Sequence, residues 1–479
     1  MRSLQRRAST RSRLAVAGSA IILVIAVLFA VLHSSGPPPL PLPGLGQPAP
    51  AGDPFTYQAG RQGNFEARAS AGEQYVLFQK SPGGVPATAA RVAAYRPLID
   101  AATRSTAVDP KVVEGIVFLE SAGDPNALAG TDAAAAAGLT QILAQTGQSL
   151  LGMHIDLARS RRLTRAIATA FALGEAGRVA RLQSQRARID DRFNPAKALA
   201  ATVRYLEIAR RDLGRADLAA VSYHMGIGNL QNVLHDYNGG QAVPYAQLFF
   251  DSAPDRHPGA FALLQGFGDD SSLYYWRVLA AESIMSLYRS DRSRLVQLNA
   301  LEIAGTDNGE VLHPPGQTSA FATPGDLASA YAAREILPLP SDPAKLGLAY
   351  SPAIGSRARQ LGQTPSLYRG LRPAALDLLI ELAARVRALS GSKAPLTVVQ
   401  AVTDGSYEHL LGGSSGYSLA STGYRFEIAR SYGSGAQAVA FQAMLDRLQA
   451  LNLIAWTRSP ATIDVTVASD AGRTIVGGA

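Results

Sequence analysis

The sequence predicts a mainly α domain followed by a smaller α+β domain, both behind an apolar N-terminal segment. Three observations carry this. Over 67–303, apolar residues recur three and four apart, and Asp109-Pro110 and Asn194-Pro195 mark helix starts. Over 365–479 the pattern changes to a helix at 373–390, the strand-like LTVVQAV, a Gly/Ser-rich stretch, an amphipathic helix at 434–451 and short strands near 454–456 and 463–467. Ahead of both, residues 14–32 (LAVAGSAIILVIAVLFAVL) are uninterruptedly apolar, about the ~20 residues a helix needs to cross a bilayer core.

Arg2, Arg6, Arg7, Arg11 and Arg13 precede the apolar segment, so the positive-inside rule makes 1–13 a cytoplasmic tail, 14–32 a transmembrane signal-anchor and the rest extracytoplasmic. A cleaved signal peptide is the competing reading, but its core is usually ~7–15 residues ending in a small-x-small site, which VLHSSGPPP does not offer. Residues 33–66 are a linker, proline-rich over 36–54 and therefore an extended spacer. The α domain occupies 67–303, a Gly/Pro/Ser/Thr-rich connector 304–364, and the α+β domain 365–479.

A length of 479 residues exceeds one ordinary core, and a hydrophobic fraction of 47% can fill two. The 45 Lys and Arg against 37 Asp and Glu give +8, an excess that suits anionic polymers. Outside the N-terminal tail it is thinly spread, with no basic stripe interleaved with aromatics, so nucleic acid is not an expected partner. The chain has no cysteine, which excludes disulfides, thiolate metal sites and cysteine nucleophiles.

The first chemical signal is Glu120. Asp109 caps a helix that begins with Pro110, and Val113, Ile116, Val117 and Glu120 then fall on one face. A carboxyl at the end of an aliphatic stripe loses hydration in its charged form, so its pKa rises and it can serve as a general acid. The alternative is an edge-of-helix glutamate paired with an arginine.

The residues beyond this helix separate the two readings. Glu120-Ser121 leads into the turn Ala122-Gly123-Asp124-Pro125-Asn126-Ala127, then Gly138-Leu139-Thr140-Gln141-Ile142, and later Ser222-Tyr223-His224-Met225-Gly226-Ile227-Gly228-Asn229. These three ordered motifs, within 109–230, resemble those of the soluble lytic transglycosylases, a family with a lysozyme-like fold. The resemblance implies a bacterial enzyme cleaving the β-1,4 bond between N-acetylmuramic acid and N-acetylglucosamine of peptidoglycan. Glu120 would protonate the glycosidic oxygen and then, as carboxylate, take the proton of the muramic C6 hydroxyl as a 1,6-anhydro ring closes. Because the substrate supplies the nucleophile, the second carboxylate of ordinary glycosidases is not needed. It implies further that Tyr223 positions the acid or the sugar, and that Ser121, Gln141 and His224 contact substrate; Ser121 and Gln141 could instead hold the fold around Glu120.

The chain departs from the family at Thr140, where methionine is usual and which is expected to line the groove, at His224, where asparagine is usual, and in a longer Arg-rich stretch over 150–191. That stretch reads either as helices flanking the cleft and touching anionic wall polymer or as a solvated hairpin. Asp124 and Asp132 leave a two-carboxylate muramidase open, and a non-catalytic peptidoglycan-binding scaffold is the alternative from a different class. Expected partners are glycan strands, the membrane through 14–32, and other cell-wall enzymes.

The strip Tyr417-Ser418-Leu419-Ala420-Ser421-Thr422-Gly423-Tyr424-Arg425-Phe426-Glu427-Ile428 resembles the zinc D-alanyl-D-alanine carboxypeptidases. In that family a histidine, an aspartate and a later histidine bind zinc. Here Ala420, Glu427 and Asp464 stand in their places, and zinc prefers imidazole nitrogen. The expectation is a degenerate domain with no metal and no cofactor, kept to grip peptide stems or to bind partners; His409 is expected at the surface.

Overall fold

A computed structural model describes residues 55–268, 270–304, 309–412 and 417–476. The tail 1–13, the segment 14–32 and the spacer 33–54 lie outside the described residues. Among the described residues no helix is long and apolar enough to cross a membrane. The chain is mostly helical with a small sheet. It divides into two units: 76–245 with 263–300, and 55–75 with 246–262 and the described part of 301–476.

The first unit is built on α1 (Val85–Ala93), α2 (Arg96–Thr103) and α3 (Pro110–Ser121). After α3 come the paired helices α4 (Leu157–Ala172) and α5 (Ala176–Ile189). The unit is completed by α6 (Pro195–Leu213), α7 (Ala216–Met225), α8 (Ile227–Asn238) and α9 (Tyr274–Ser290). Helix α3 starts where the sequence predicts: Asp109 accepts from the Lys111 amide at 2.8 Å and Pro110 opens the first turn. Val113, Ile116 and Val117 are fully buried. Gly115 lets α9 approach, since a Cβ there would lie 3.1 Å from Val278. The helix stops at Ala122, whose left-handed φ of 52° leaves Glu120 and Ser121 in the last turn.

The stretch expected as an insertion forms the hairpin α4–α5. Its base is fixed by buried polar contacts: Ser160 donates to Asp190 at 2.7 Å, and Arg186 donates to Thr164 and Asn126, both at 3.0 Å.

The second unit carries a five-stranded sheet. Strands β1 (Leu348–Tyr350), β2 (Leu396–Gln400), β3 (Arg425–Ala429), β4 (Ile454–Arg458) and β5 (Thr462–Val467) lie in the order β1-β2-β3-β5-β4. Only β1–β2 is parallel. Helices α10 (Pro373–Ser390) and α11 (Gly435–Ala450) pack together, burying Leu378, Leu379 and Leu382 on one and Phe441, Met444 and Leu445 on the other.

Two expected boundaries shift. Residues 55–66 are not spacer: Phe55 and Phe65 are buried, the Phe65 ring lies 5.0 Å from that of Phe250, and Arg447 donates to the carbonyls of Phe55 and Phe250. The stretch 304–364 is more than a connector, because it supplies β1 and the buried residues Phe321, Leu327 and Ile336 of a core that includes Tyr368, Val402 and Tyr407. Both errors have one cause: periodicity reports local burial and carries no information on distant chain segments that share a core.

Candidate active site

Glu120 sits half-buried at the C-terminal end of α3 beside a cavity of about 470 Å³ lined wholly by the first unit. Phe118, Tyr205, Tyr223, His224 and Tyr274 face this cavity, with Lys80 and Arg277 as its cations. Among the described lining residues Glu120 is the one carboxylate. Burial pushes its carboxyl up to about 7, opposed by a hydrogen bond of 2.7 Å that the Tyr274 hydroxyl donates to Oε1. The rise comes from lost hydration of the anion, and the hydrogen bond stabilises that anion. A group balanced near neutrality can give a proton and take one back.

The neighbours of Glu120 are arranged differently from expectation. Tyr223 is close enough for the charge of Glu120 to help raise its pKa, after burial, but its hydroxyl donates to the Thr140 carbonyl at 2.7 Å and lies 3.2 Å from the Thr202 hydroxyl. The residue that holds the acid is therefore Tyr274, not Tyr223. Tyr223 instead ties α7 to the 138–142 turn, its ring edge-on to Tyr205 with centroids 5.2 Å apart. The His224 ring stacks on Tyr274 at 5.1 Å and 25°, and its Nδ1 lies 2.8 Å from the Ser271 hydroxyl. His224 thus lines the cavity and buttresses the tyrosine that touches Glu120.

Ser121 lines the cavity, and its hydroxyl is bound within the fold. Its hydroxyl faces the carbonyls of Leu139 at 2.7 Å and Val117 at 3.3 Å, and accepts from the Gly123 amide at 3.2 Å. Those contacts engage its one proton. Gln141 does line the cavity, in a left-handed conformation with φ of 48°, and its Nε2 donates to the Gly138 carbonyl at 2.8 Å. Thr140 does not line the groove: it is fully buried, and its Oγ1 has no hydrogen-bond partner among the described residues. Gly226, at φ 87°, makes the turn between α7 and α8, whereas Gly228 lies within α8.

The turn that carries Gln141 is clamped from below. Arg192 and Asp190, both fully buried, pair at 2.7 Å, and Arg192 also donates to the carbonyls of Ala133, Ala135 and Ile142. Gly138, at φ 79°, passes so close that a Cβ would lie 1.8 Å from the Arg192 carbonyl oxygen. The other acids near Glu120 in sequence are used elsewhere. Asp124 accepts from the Asn126 amide at 2.8 Å, and exposed Asp132 pairs with Arg161 at 2.7 Å.

Sequence reasoning missed Tyr274 because it lies 154 residues from Glu120 in the chain. The one available signal is the aromatic run Tyr274-Tyr275-Trp276, which by itself reads as core. Replacing Tyr274 with Phe is expected to raise the pKa of Glu120 further, because the lost bond favoured the carboxylate. If Glu120 acts as an acid, the alkaline limb of a kcat/KM pH profile moves up by roughly one unit and kcat falls about tenfold, the worth of one charge-assisted hydrogen bond. An unmoved limb in Tyr274→Phe would count against that coupling.

In the second unit the three positions of the expected degenerate metal site are accounted for. Ala420 is buried. Glu427 and Asp464 are direct cross-strand partners on β3 and β5, and the Arg425 guanidinium lies 2.9 Å from a carboxylate oxygen of each. An arginine cation already bridges the two carboxylates, and this donor set does not fit zinc. Thr403 is buried and donates to Glu408 at 2.7 Å, while His409 is exposed. Among the described residues no cluster of three or more His, Cys, Asp or Glu side chains is placed to hold a metal ion.

Comparison of the chain with protein-family models, with curated proteins and with solved structures finds no match in any of the three.

Proposed function

We propose that the first unit is a peptidoglycan lytic transglycosylase, working outside a membrane to which 14–32 anchors it. The observation that carries this reading is a lone cavity carboxyl, Glu120, raised to about 7 and held by Tyr274. Protonated Glu120 gives its proton to the oxygen between N-acetylmuramic acid and N-acetylglucosamine as the C1–O bond breaks. The resulting carboxylate accepts the proton of the muramic C6 hydroxyl as that oxygen bonds to C1. The proton is conserved over the cycle, and no second carboxylate or water enters it.

Three further features support the reading. The three motifs of the resemblance converge on one cavity, through Glu120, Gln141 and Tyr223. Its volume of about 470 Å³ falls in the ordinary range for small-ligand sites. Aromatic side chains of Tyr205, Tyr223 and Tyr274 line the same cavity, as suits the apolar faces of sugar rings. Hydrolysis by a muramidase draws less support, since Asp124 and Asp132 do not line the cavity. A pure scaffold has no use for a carboxyl kept at a proton-transferring pKa.

The test is mass spectrometry of soluble products from purified peptidoglycan. Muropeptides ending in 1,6-anhydro-muramic acid are expected. Reducing-end products would replace the proposal with a hydrolase, and retained wall binding with no products would replace it with a scaffold.

A further inference from the structure

The α4–α5 hairpin is unlike the rest of the first unit. Its base is rigid, with Arg186 buried and stacked 3.6 Å from the Phe193 ring. Helix α4 has 16 residues and so runs roughly 24 Å at 1.5 Å per residue. At the far end every residue over 171–178 is exposed. Two of them are large and apolar, Phe171 at 46% and Leu173 at 64% exposure. Around them the surface is cationic. Exposed Arg165, Arg178 and Arg181 lie within two helical turns of the tip, and the acidic residue there, Glu175, is paired with Arg178 at 2.9 Å. No ion pair among the described residues engages Arg159, Arg162, Arg165, Arg181 or Arg188.

We propose that this hairpin is a membrane-docking element that seats Phe171 and Leu173 in an anionic lipid surface while its arginines meet the headgroups. Apolar side chains at the tip of a rigid arm, ringed by basic residues, match an interfacial anchor, in which apolar burial and headgroup attraction add. Arginine stems can lie along the acyl boundary with the guanidinium in the headgroup layer. A hydrated anionic polymer would satisfy the arginines but offer nothing to Phe171 and Leu173, so charge and apolarity together select lipid. Docking of the hairpin depends neither on the expected anchor at 14–32 nor on the chemistry of Glu120.

The absence of cysteine makes the test direct. Leu173→Cys in the full chain provides one attachment point for a polarity-sensitive fluorophore, and Ala332→Cys in the second unit is the control. On phosphatidylglycerol-containing vesicles the tip probe is expected to shift to blue and to be quenched by nitroxide-labelled lipid. Raising salt from about 0.1 to 1 M, which shortens the screening length from about 10 to about 3 Å, should reverse this. Arg181→Gln should weaken docking about fivefold, the worth of one basic residue near an anionic surface. An aqueous spectrum of the tip probe on anionic vesicles would overturn the proposal. So would an equal response on phosphatidylcholine alone, a shift of the control matching that of the tip, or a response to soluble polyphosphate without lipid.

Discussion

Glu120→Gln is expected to lower the yield of anhydromuropeptides by about 10³-fold or more while making the folded protein more stable at alkaline pH. General acid–base catalysis contributes roughly 10²- to 10⁴-fold per group. Glu120 is proposed to act in both halves of the reaction, so the loss should lie in the upper part of that range. The amide keeps the shape of the carboxyl and can still meet Tyr274, so the loss would be chemical rather than structural.

Stability should move in the opposite direction. The carboxyl is raised from 4.5 to about 7 in the folded protein, and a raised folded pKa means that the native state is penalised when the group ionises. Below the unfolded pKa the penalty is absent. It grows as pH rises from about 4.5 to 7 and is constant above, at on the order of 3 kcal/mol. Glutamine never ionises and escapes it. Wild type and Glu120→Gln should therefore melt together near pH 4, with the variant melting roughly 5–10 °C higher at pH 8. A variant that is inactive and also less stable at pH 8 would mean that Glu120 supports the fold and does not store a catalytic strain.

Arg192→Met is expected to give the largest loss of stability, about 3–5 kcal/mol. Arg192 and Asp190 are both fully buried, with guanidinium nitrogens 3.0 and 2.7 Å from the two carboxylate oxygens. Removing the arginine leaves a buried carboxylate without its cation, with the Ser160 hydroxyl still donating to it, and strands the carbonyls of Ala133 and Ala135. The cost is that of the abandoned partners rather than of the contact itself. In Arg192→Met with Asp190→Leu the stranded charge is gone, and thermal melts should recover a good part of the loss. Activity should not recover in proportion. Arg192 holds the turn that carries Gln141 and the carbonyl bound by Tyr223, and a misplacement of about 1 Å can cost 10²-fold in rate. Full recovery of both in the double variant would mean that the clamp does not position the site.

Much of this site is legible in the chain because its parts are local. Asp109-Pro110 and the spacing of Val113, Ile116 and Val117 specify where α3 begins and which face is buried, and the same spacing puts Glu120 on the apolar stripe. Helix periodicity and capping depend on residues within four or five positions, so a one-dimensional reading captures them. The α+β character of 365–479 is legible for the same reason.

Local sequence alone specifies the glutamate on the apolar stripe, the helix that presents it, and the alternation of helices and strands. Which side chains meet is settled by the folded chain. It assigned the Glu120 hydrogen bond to Tyr274 rather than Tyr223, bound the Ser121 hydroxyl to the Leu139 carbonyl, buried Thr140, put Arg425 between Glu427 and Asp464, and gave 55–75 to the second unit. These contacts join residues far apart in the chain, and side-chain packing and the pairing of buried polar groups select them at that range. A single sequence records the residue types available for such pairing, but not which of them meet.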